Sequence, residues 1–268
     1  MLSRSSVVDW SKQLPVSGGG RTLDKDECYL SGHPTEVLTD YEEEMRQEIK
    51  TISLSLPYRL GSVNCYLIKT DTGYVLIDTA CTNRRTNLVK ELEGAGCKPG
   101  NLQVIILTHG DFDHSGNAAY LRKTFGARIL MHRDDSGMVE RGNMYWNRNK
   151  SNALIKMIAP VFFRFGKSER FKPDSYVEDG EDLSENGFDA RVLHIPGHSK
   201  GSIGILTSGG ELFCGDLLED KHKPKLNSLM DDLTTATASV EKLSKLGIRT
   251  IYPGHGKPFT MDAFKETL

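Results

Sequence analysis

Thr108-His-Gly-Asp-Phe-Asp-His-Ser115 follows directly on the apolar run Val104-Ile-Ile-Leu107. A short, largely β-branched run of this kind predicts a buried strand over residues 104–107. Where that strand ends, four groups able to ligate a metal crowd into six residues: His109, Asp111, Asp113 and His114. Three more candidates stand at the ends of their own apolar runs: His198 in Ile195-Pro-Gly-His198, Asp216 in Phe213-Cys-Gly-Asp216, and His255 in Tyr252-Pro-Gly-His255. Seven imidazoles and carboxylates exceed what one ion needs. They suit two cations close together that share a carboxylate, an arrangement able to make a hydroxide from water at neutral pH and to stabilise the charge of a displacement reaction.

Working outward, residues 115–125 read as a helix stopped by Gly126, and residues 128–131 as the next strand. The local order is strand, ligand loop, helix, strand, as in an α/β sandwich. Upstream, residues 51–56, 63–69 and 74–78 read as strands, with a tight hairpin turn at Asp71-Thr-Gly73 and a helix over 86–93 ended by Gly94 and Gly96. Downstream, 176–177, 190–194, 204–207, 211–214 and 250–252 read as strands, with helices over 229–246 and 261–268. The halves 51–130 and 176–255 therefore read as two similar sheets, each followed by helices.

Residues 1–50 differ from this core. They carry Gly18-Gly-Gly20, scattered prolines and the acidic run Asp40-Tyr-Glu-Glu-Glu44, and read as a partly irregular N-terminal extension in which Cys28 and His33 are surface residues without a role. Residues 133–175 form a long insertion rich in methionine and aromatic side chains, with a helix expected over 153–161. As a wall of the active-site cleft it would offer an adaptable apolar surface; the other reading is that these side chains pack on the core or form a homodimer interface. Arg133, Arg141, Arg148 and Lys150 could meet an anionic substrate there, although exposed solubilising charge is the commoner role for such residues.

A formal net charge of −2 gives no electrostatic support for nucleic-acid binding. Five dispersed cysteines with no C-x-x-C pair argue against a disulfide framework and for a reducing cytoplasm. The first residues contain no apolar stretch resembling a secretory signal, and no run is long enough to span a bilayer. A small-molecule substrate is expected. Gly-x-Ser-x-Gly is absent, so serine acyl chemistry has no motif behind it.

Thr108-His-Gly-Asp-Phe-Asp-His-Ser-Gly116, Pro196-Gly-His-Ser-Lys-Gly-Ser-Ile-Gly204, Phe213-Cys-Gly-Asp216 and Tyr252-Pro-Gly-His-Gly256 resemble, in order, the successive metal motifs of the metallo-β-lactamase-fold superfamily. The resemblance covers about residues 50–260. It implies a four-layer αβ/βα sandwich with a metal site at the edge where the two sheets meet. By position, it implies a first metal on His109, Asp111 and His198, a second on Asp113, His114 and His255, and Asp216 as the bridge. Asp78, not a ligand in the family pattern, looks like the acid that orients a metal-binding loop. Cys81 nearby reads as a buried inert thiol, and Gly197, Gly215 and Gly254 as permitting backbone approach to the metals.

The family pattern has histidine where this chain has Asp111. Zinc is the expected ion, and the harder carboxylate favours iron or manganese as alternatives. The resemblance implies hydrolysis by a metal-bridging hydroxide, with Asp113 holding the nucleophile and taking or passing its proton. It is closest to the thioesterase, lactonase and glyoxalase-II-like branches, which hydrolyse esters, thioesters or lactones. The resemblance implies that dedicated β-lactamases of this fold lack the aspartate that stands here as Asp216. The alternative is an iron-containing redox protein of the same fold that reduces oxygen or oxidises sulfur.

Overall fold

The computed structural model describes residues 48–57, 60–149, 157, 161–162 and 165–267. Residues 1–47 of the expected extension, with Cys28 and His33, lie outside the described residues, as does nearly all of the helix expected over 153–161, while Ile49 and Lys50, placed in the extension, belong to the first core strand. Residues 47–268 form one compact unit.

Two sheets make the frame. The first has six strands in sequence order: β1 (Ile49–Ser55), β2 (Ser62–Thr70), β3 (Gly73–Ile77), β4 (Leu102–Ile106), β5 (Arg128–Met131) and β6 (Ser175–Tyr176). β1, β2 and β3 pair antiparallel; β3 to β6 pair parallel, and the connections between them contain α1 (Arg85–Gly94), α2 (Phe112–Ser115), α3 (Ala118–Phe125) and α4 (Arg133–Arg141). The second sheet runs β13-β12-β9-β8-β7, from β7 (Ala190–His194), β8 (Ile203–Thr207), β9 (Glu211–Gly215), β12 (Thr250–Pro253) and β13 (Phe259–Thr260). A separate hairpin joins β10 (Leu218–Asp220) to β11 (Pro224–Leu226). α5 (Leu233–Ser244) precedes β12, and α6 (Met261–Lys265) closes the chain.

Period-2 alternation inside the strands sorts the core into three apolar layers. In β3, Val75 and Ile77 face the second sheet, where they join Val192, Ile203, Ile205 and Phe213; Leu76 between them faces the outer layer with Leu88 and Leu92 of α1 and Leu121 of α3. In β9, Phe213 points inward while Leu212 and Cys214 meet Ala236 and Leu243 of α5 and Phe264 of α6. Strands buried on both faces read as continuous hydrophobic runs, as β4 and β8 do. The result is the four-layer αβ/βα sandwich that the motifs implied. Each fully buried aliphatic or aromatic side chain in these layers contributes about 1.5–3 kcal/mol of transfer free energy.

Three local expectations need correction. The strand at 175–176 adds to the edge of the first sheet, beside β5, and not to the second. The helix expected over 115–125 is two pieces, α2 and α3, interrupted at Gly116 and Asn117, because Gly116 packs directly on the backbone of Ala80 and Thr82. The helix expected over 229–246 starts only at Leu233, where the Asp232 carboxylate accepts the Thr235 N–H as N-cap.

In the insertion, α4 forms where no helix was expected. Met138 is buried, Met144 packs on the core, and Phe165 stacks on Phe112 with ring centroids 4.1 Å apart. Core packing is therefore the reading that holds for these three. Among the described residues, no helix is long and apolar enough to cross a membrane.

Candidate metal centre

The seven candidate ligands leave the C-terminal ends of four strands and meet at one end of the sandwich. His109 and Asp111 extend beyond β4. Asp111 then caps α2, its carbonyl accepting the His114 and Ser115 N–H groups, and this single helical turn swings Asp113 and His114 away from His109 and Asp111. His198 comes from the β7–β8 loop, Asp216 from the end of β9 and His255 from the end of β12. β9 and β12 are parallel neighbours, and Gly254 N–H bonds Gly215 O at 2.7 Å, so Asp216 and His255 arrive side by side. Gly254 has to be glycine: a Cβ there would lie 2.3 Å from Asp216 Oδ1 and 2.7 Å from His114 Cε1. Gly197, expected to approach a metal, instead presses on Ala236 of α5.

Asp78 organises the centre. It follows β3 with φ 59°, in the left-handed region, and is 2% exposed. Its Oδ1 accepts the Thr108 N–H at 2.9 Å, and its Oδ2 accepts the Thr108 hydroxyl and His114 Nδ1, both at 2.8 Å. Because the Thr108 hydroxyl donates to Asp78, its oxygen is left to accept from His109 Nδ1 at 2.9 Å. His198 Nδ1 donates to Leu229 O at 2.8 Å and His255 Nδ1 donates to Ser62 O at 2.6 Å. In all four imidazoles Nδ1 is committed to an oxygen acceptor, which leaves Nε2 aimed at the centre. Fixing the ring through its other nitrogen is how proteins orient metal-binding histidines.

The Nε2 atoms and carboxylate oxygens form two trios. In one, Asp111 Oδ2 lies 3.1 Å from His198 Nε2 and 3.7 Å from His109 Nε2. In the other, Asp113 Oδ2 lies 3.5 Å from His255 Nε2 and 3.9 Å from His114 Nε2, and the two Nε2 atoms are 3.4 Å apart. Asp216 reaches both: Oδ2 is 3.8 Å from His198 and 3.3 Å from His255, and Oδ1 is 3.3 Å from His114. Donor atoms around a tetrahedral ion with bonds of ~2.1 Å sit about 3.4 Å from one another, so these separations fit cation sites. His109 Nε2 and Asp216 Oδ1 are buried without a hydrogen-bond partner, the condition expected of atoms awaiting an ion.

A sequence profile of the Metallo-beta-lactamase superfamily matches residues 58–255. The chain is 30% identical over 220 residues to the hydroxyacylglutathione hydrolase GloC of Haemophilus influenzae, a match covering 79% of this chain and 94% of that protein. Among solved structures, TTHA1623 in a di-iron-bound form superposes with a TM-score of 0.63 at 25% identity, over 81% of this chain and 98% of that one. The metallo-beta-lactamase family protein TTHA1429 from Thermus thermophilus superposes with a TM-score of 0.61 at 27% identity, over 81% and 76%. The chain belongs to the metallo-β-lactamase superfamily. At the level of the family, this makes it a metal-dependent hydrolase.

The electrostatics of this candidate centre are those of packed opposite charges. Burial alone would raise the Asp216 carboxyl, but the His255 and His114 rings outweigh it and hold it well below the usual range. Burial would lower His114 and His255; the carboxylates of Asp216, Asp78 and Asp113 raise His114, and those of Asp216 and Asp113 push His255 up to about 10. His109 is lowered by burial and by the neighbouring His114 and His198 rings, and stays neutral. Burial pushes the Cys81 thiol up to about 12, so it stays protonated at neutral pH.

Two participants escape a reading of the sequence, and a third, Arg148, is read there only as a substrate contact or an exposed charge. Thr108 links Asp78 to His109. Asp135, fully buried in the first turn of α4, accepts from Gly110 N–H, Ser199 Oγ and Gly201 N–H, and so ties the His109 loop to the His198 loop. Arg148 is not the exposed solubilising charge that its residue type suggests: its Nη2 donates to Asp111 Oδ1 at 2.7 Å and lies 3.4 Å from His198 Nε2. Against the opposing effect of burial, that guanidinium and the His198 contact hold the Asp111 carboxyl far below its usual range. Arg133 and Arg141 lie instead over the rings of Tyr176 and Trp146, and Lys150 is outside the described residues.

A separate His/Asp group, His132, Asp134 and His194, lacks the geometry of the main centre. Its two imidazoles stack with their planes 6° apart, so their in-plane lone pairs cannot converge on one ion. The His194 Nε2 contact is Lys200 O, and His132 Nδ1 accepts the Asp134 N–H.

Proposed function

We propose that the chain is a dinuclear metal-dependent hydrolase of a small acyl substrate, with a thioester first and an ester or lactone as the related alternatives. The observation that carries this reading is the contact of Asp216 with histidines of both trios, which suits a carboxylate shared between two cations. His109, Asp111 and His198 would hold one ion, and Asp113, His114 and His255 the other. Zinc suits the four imidazoles best. Two such ions supply an acidified water and a Lewis acid for the scissile carbonyl. A thioester is favoured because hydroxyacylglutathione, named in the relative GloC, is an S-acyl compound.

The residues of the chain divide the remaining work. Asp78 and Thr108 keep His109 and His114 from rotating. Asp113 is the most exposed of the seven, with its side chain 14% accessible, so it is the carboxylate that faces incoming substrate. It would hold the attacking water by one oxygen and accept its proton, then return that proton to the departing thiolate.

The test is hydrolysis of an S-acyl glutathione, a lactone and a phosphodiester by protein whose metal content has been measured. Turnover of the thioester should vanish with a chelator and return with zinc. Asp216→Ala should lose more than the ~10–100-fold typical of removing a supporting partner. Wild-type turnover in a folded Asp216→Ala protein would overturn the reading. The carboxylate at Asp111 favours a second reading, a diiron redox centre; tightly bound iron with visible absorption and oxygen consumption would select it.

A further inference from the structure

The insertion delivers a permanent cation into the metal centre. Its position is built: the neighbouring Asn149 N–H bonds Asp231 Oδ2 at 2.9 Å, and Asp231 N–H bonds Gly197 O at 2.9 Å, which pins this segment to the loop carrying His198. From there the Arg148 side chain, 10% exposed, sets one nitrogen against two of the three residues of the first trio, 2.7 Å from Asp111 Oδ1 and 3.4 Å from His198 Nε2. The second trio has no such neighbour among the described residues. Among the described residues, no lysine or arginine makes a hydrogen bond or ion pair with Asp113, His114 or His255, whose charged contacts are with one another, with Asp78 and with Asp216.

We propose that Arg148 is an internal competitor for the first cation position, so that the two positions fill in order: Asp113, His114 and His255 first and tightly, His109, Asp111 and His198 second and weakly. The inference rests on the reading that the seven side chains hold two ions. A guanidinium and a divalent ion a few ångströms apart repel, and little water is present to screen them. The guanidinium also neutralises Asp111, which removes much of that carboxylate's attraction for an incoming ion. Without any ion, Arg148 stabilises the centre, because a buried carboxylate with no partner is costly. Asp111 keeps Oδ2 turned toward the histidines while Oδ1 engages Arg148, so an arriving ion finds an oxygen already in place and has only to displace the cation beside it.

A purely positioning role for Arg148 predicts the opposite sign on substitution, which makes the proposal testable. Calorimetric titration of the metal-stripped full chain with zinc, with stoichiometry read by native mass spectrometry, separates the two steps. Wild type should bind two ions in two steps, the second at least ~100-fold weaker. Arg148→Met should strengthen the weak step more than ~10-fold and leave the tight step unchanged, which also shows that the variant is folded. Arg148→Lys, which keeps the charge, should preserve the gap. Two ions bound with equal affinity by wild type, or a weaker second step in Arg148→Met, would overturn the proposal while the two-ion reading stands. Absence of zinc binding by wild type would overturn both.

Discussion

Asp78→Asn removes one charge and changes one atom, yet it breaks a buried network at its centre. The aspartate accepts three hydrogen bonds, two of them on Oδ2 from the Thr108 hydroxyl and His114 Nδ1 and one on Oδ1 from the Thr108 N–H. An asparagine has a single acceptor oxygen. If that oxygen replaces Oδ2, the amide group faces the Thr108 N–H; if it replaces Oδ1, the amide faces His114 Nδ1 and its proton. Either way at least one buried donor is left unpaired, at about 1–3 kcal/mol. The left-handed backbone at φ 59° does not confuse the experiment, because asparagine tolerates that region. In either arrangement His114 loses the charged acceptor that orients its ring and raises its basicity, so it should bind its ion ~10–100-fold more weakly. That corresponds to about 1.4–2.8 kcal/mol. Competition with a chromophoric chelator measures it. An affinity within about twofold of wild type would refute the claim that Asp78 orients the centre.

Two further outcomes derive from the charges. In the ion-free chain, the carboxylates of Asp216 and Asp113 overcome burial and keep His255, raised to about 10, and His114 protonated at neutral pH. A cation has to displace those protons, so zinc affinity should rise with pH through neutrality, and the heat of binding should depend on the ionisation enthalpy of the buffer; a buffer-independent heat would contradict this. At the end of the insertion, Glu169 is raised by burial but lowered further by the Ser168 hydroxyl and by Arg85, 3.1 Å away, leaving its carboxyl below the ordinary value. A depressed folded pKa gives stability that is present above the unfolded value of about 4.3 and is lost as pH falls through the folded value. Glu169→Gln should therefore lower stability by about 1 kcal/mol at pH 7, with the difference closing in acid; a difference constant between pH 7 and pH 3 in denaturant titrations would disprove the pair.

The strands and the candidate ligands were legible as local patterns, and the structure tests the placing of both. β5 and β7 fall where alternating or continuous apolar runs placed them, and His109, Asp111, Asp113, His114, His198, Asp216 and His255 are brought together as the motifs implied. α4 was not legible, since Asp135, Ser136 and Gly137 are buried in it and a polar buried face carries no apolar period. Its Gly142, left-handed at φ 65°, was the available stop signal. The strands β10 and β11 are only three residues long, too short for a period, and are joined by the Leu218–Leu226 pair and by the Glu219–Lys225 ion pair. The edge strand at 175–176 is too short to declare its sheet. Arg148 and Asp135 act through partners 37 and 64 residues away, and nothing in their own neighbourhood distinguishes them from surface charge.

Anomalous X-ray scattering from crystals grown in saturating zinc tests the central claim most directly. Two peaks should appear, one bonded to Nε2 of His114 and His255 with Asp113, the other to Nε2 of His109 and His198 with Asp111, each at ~2.0–2.2 Å, with the Asp216 carboxylate between them. A single peak that leaves one trio empty at saturation, or peaks away from these side chains, would contradict it.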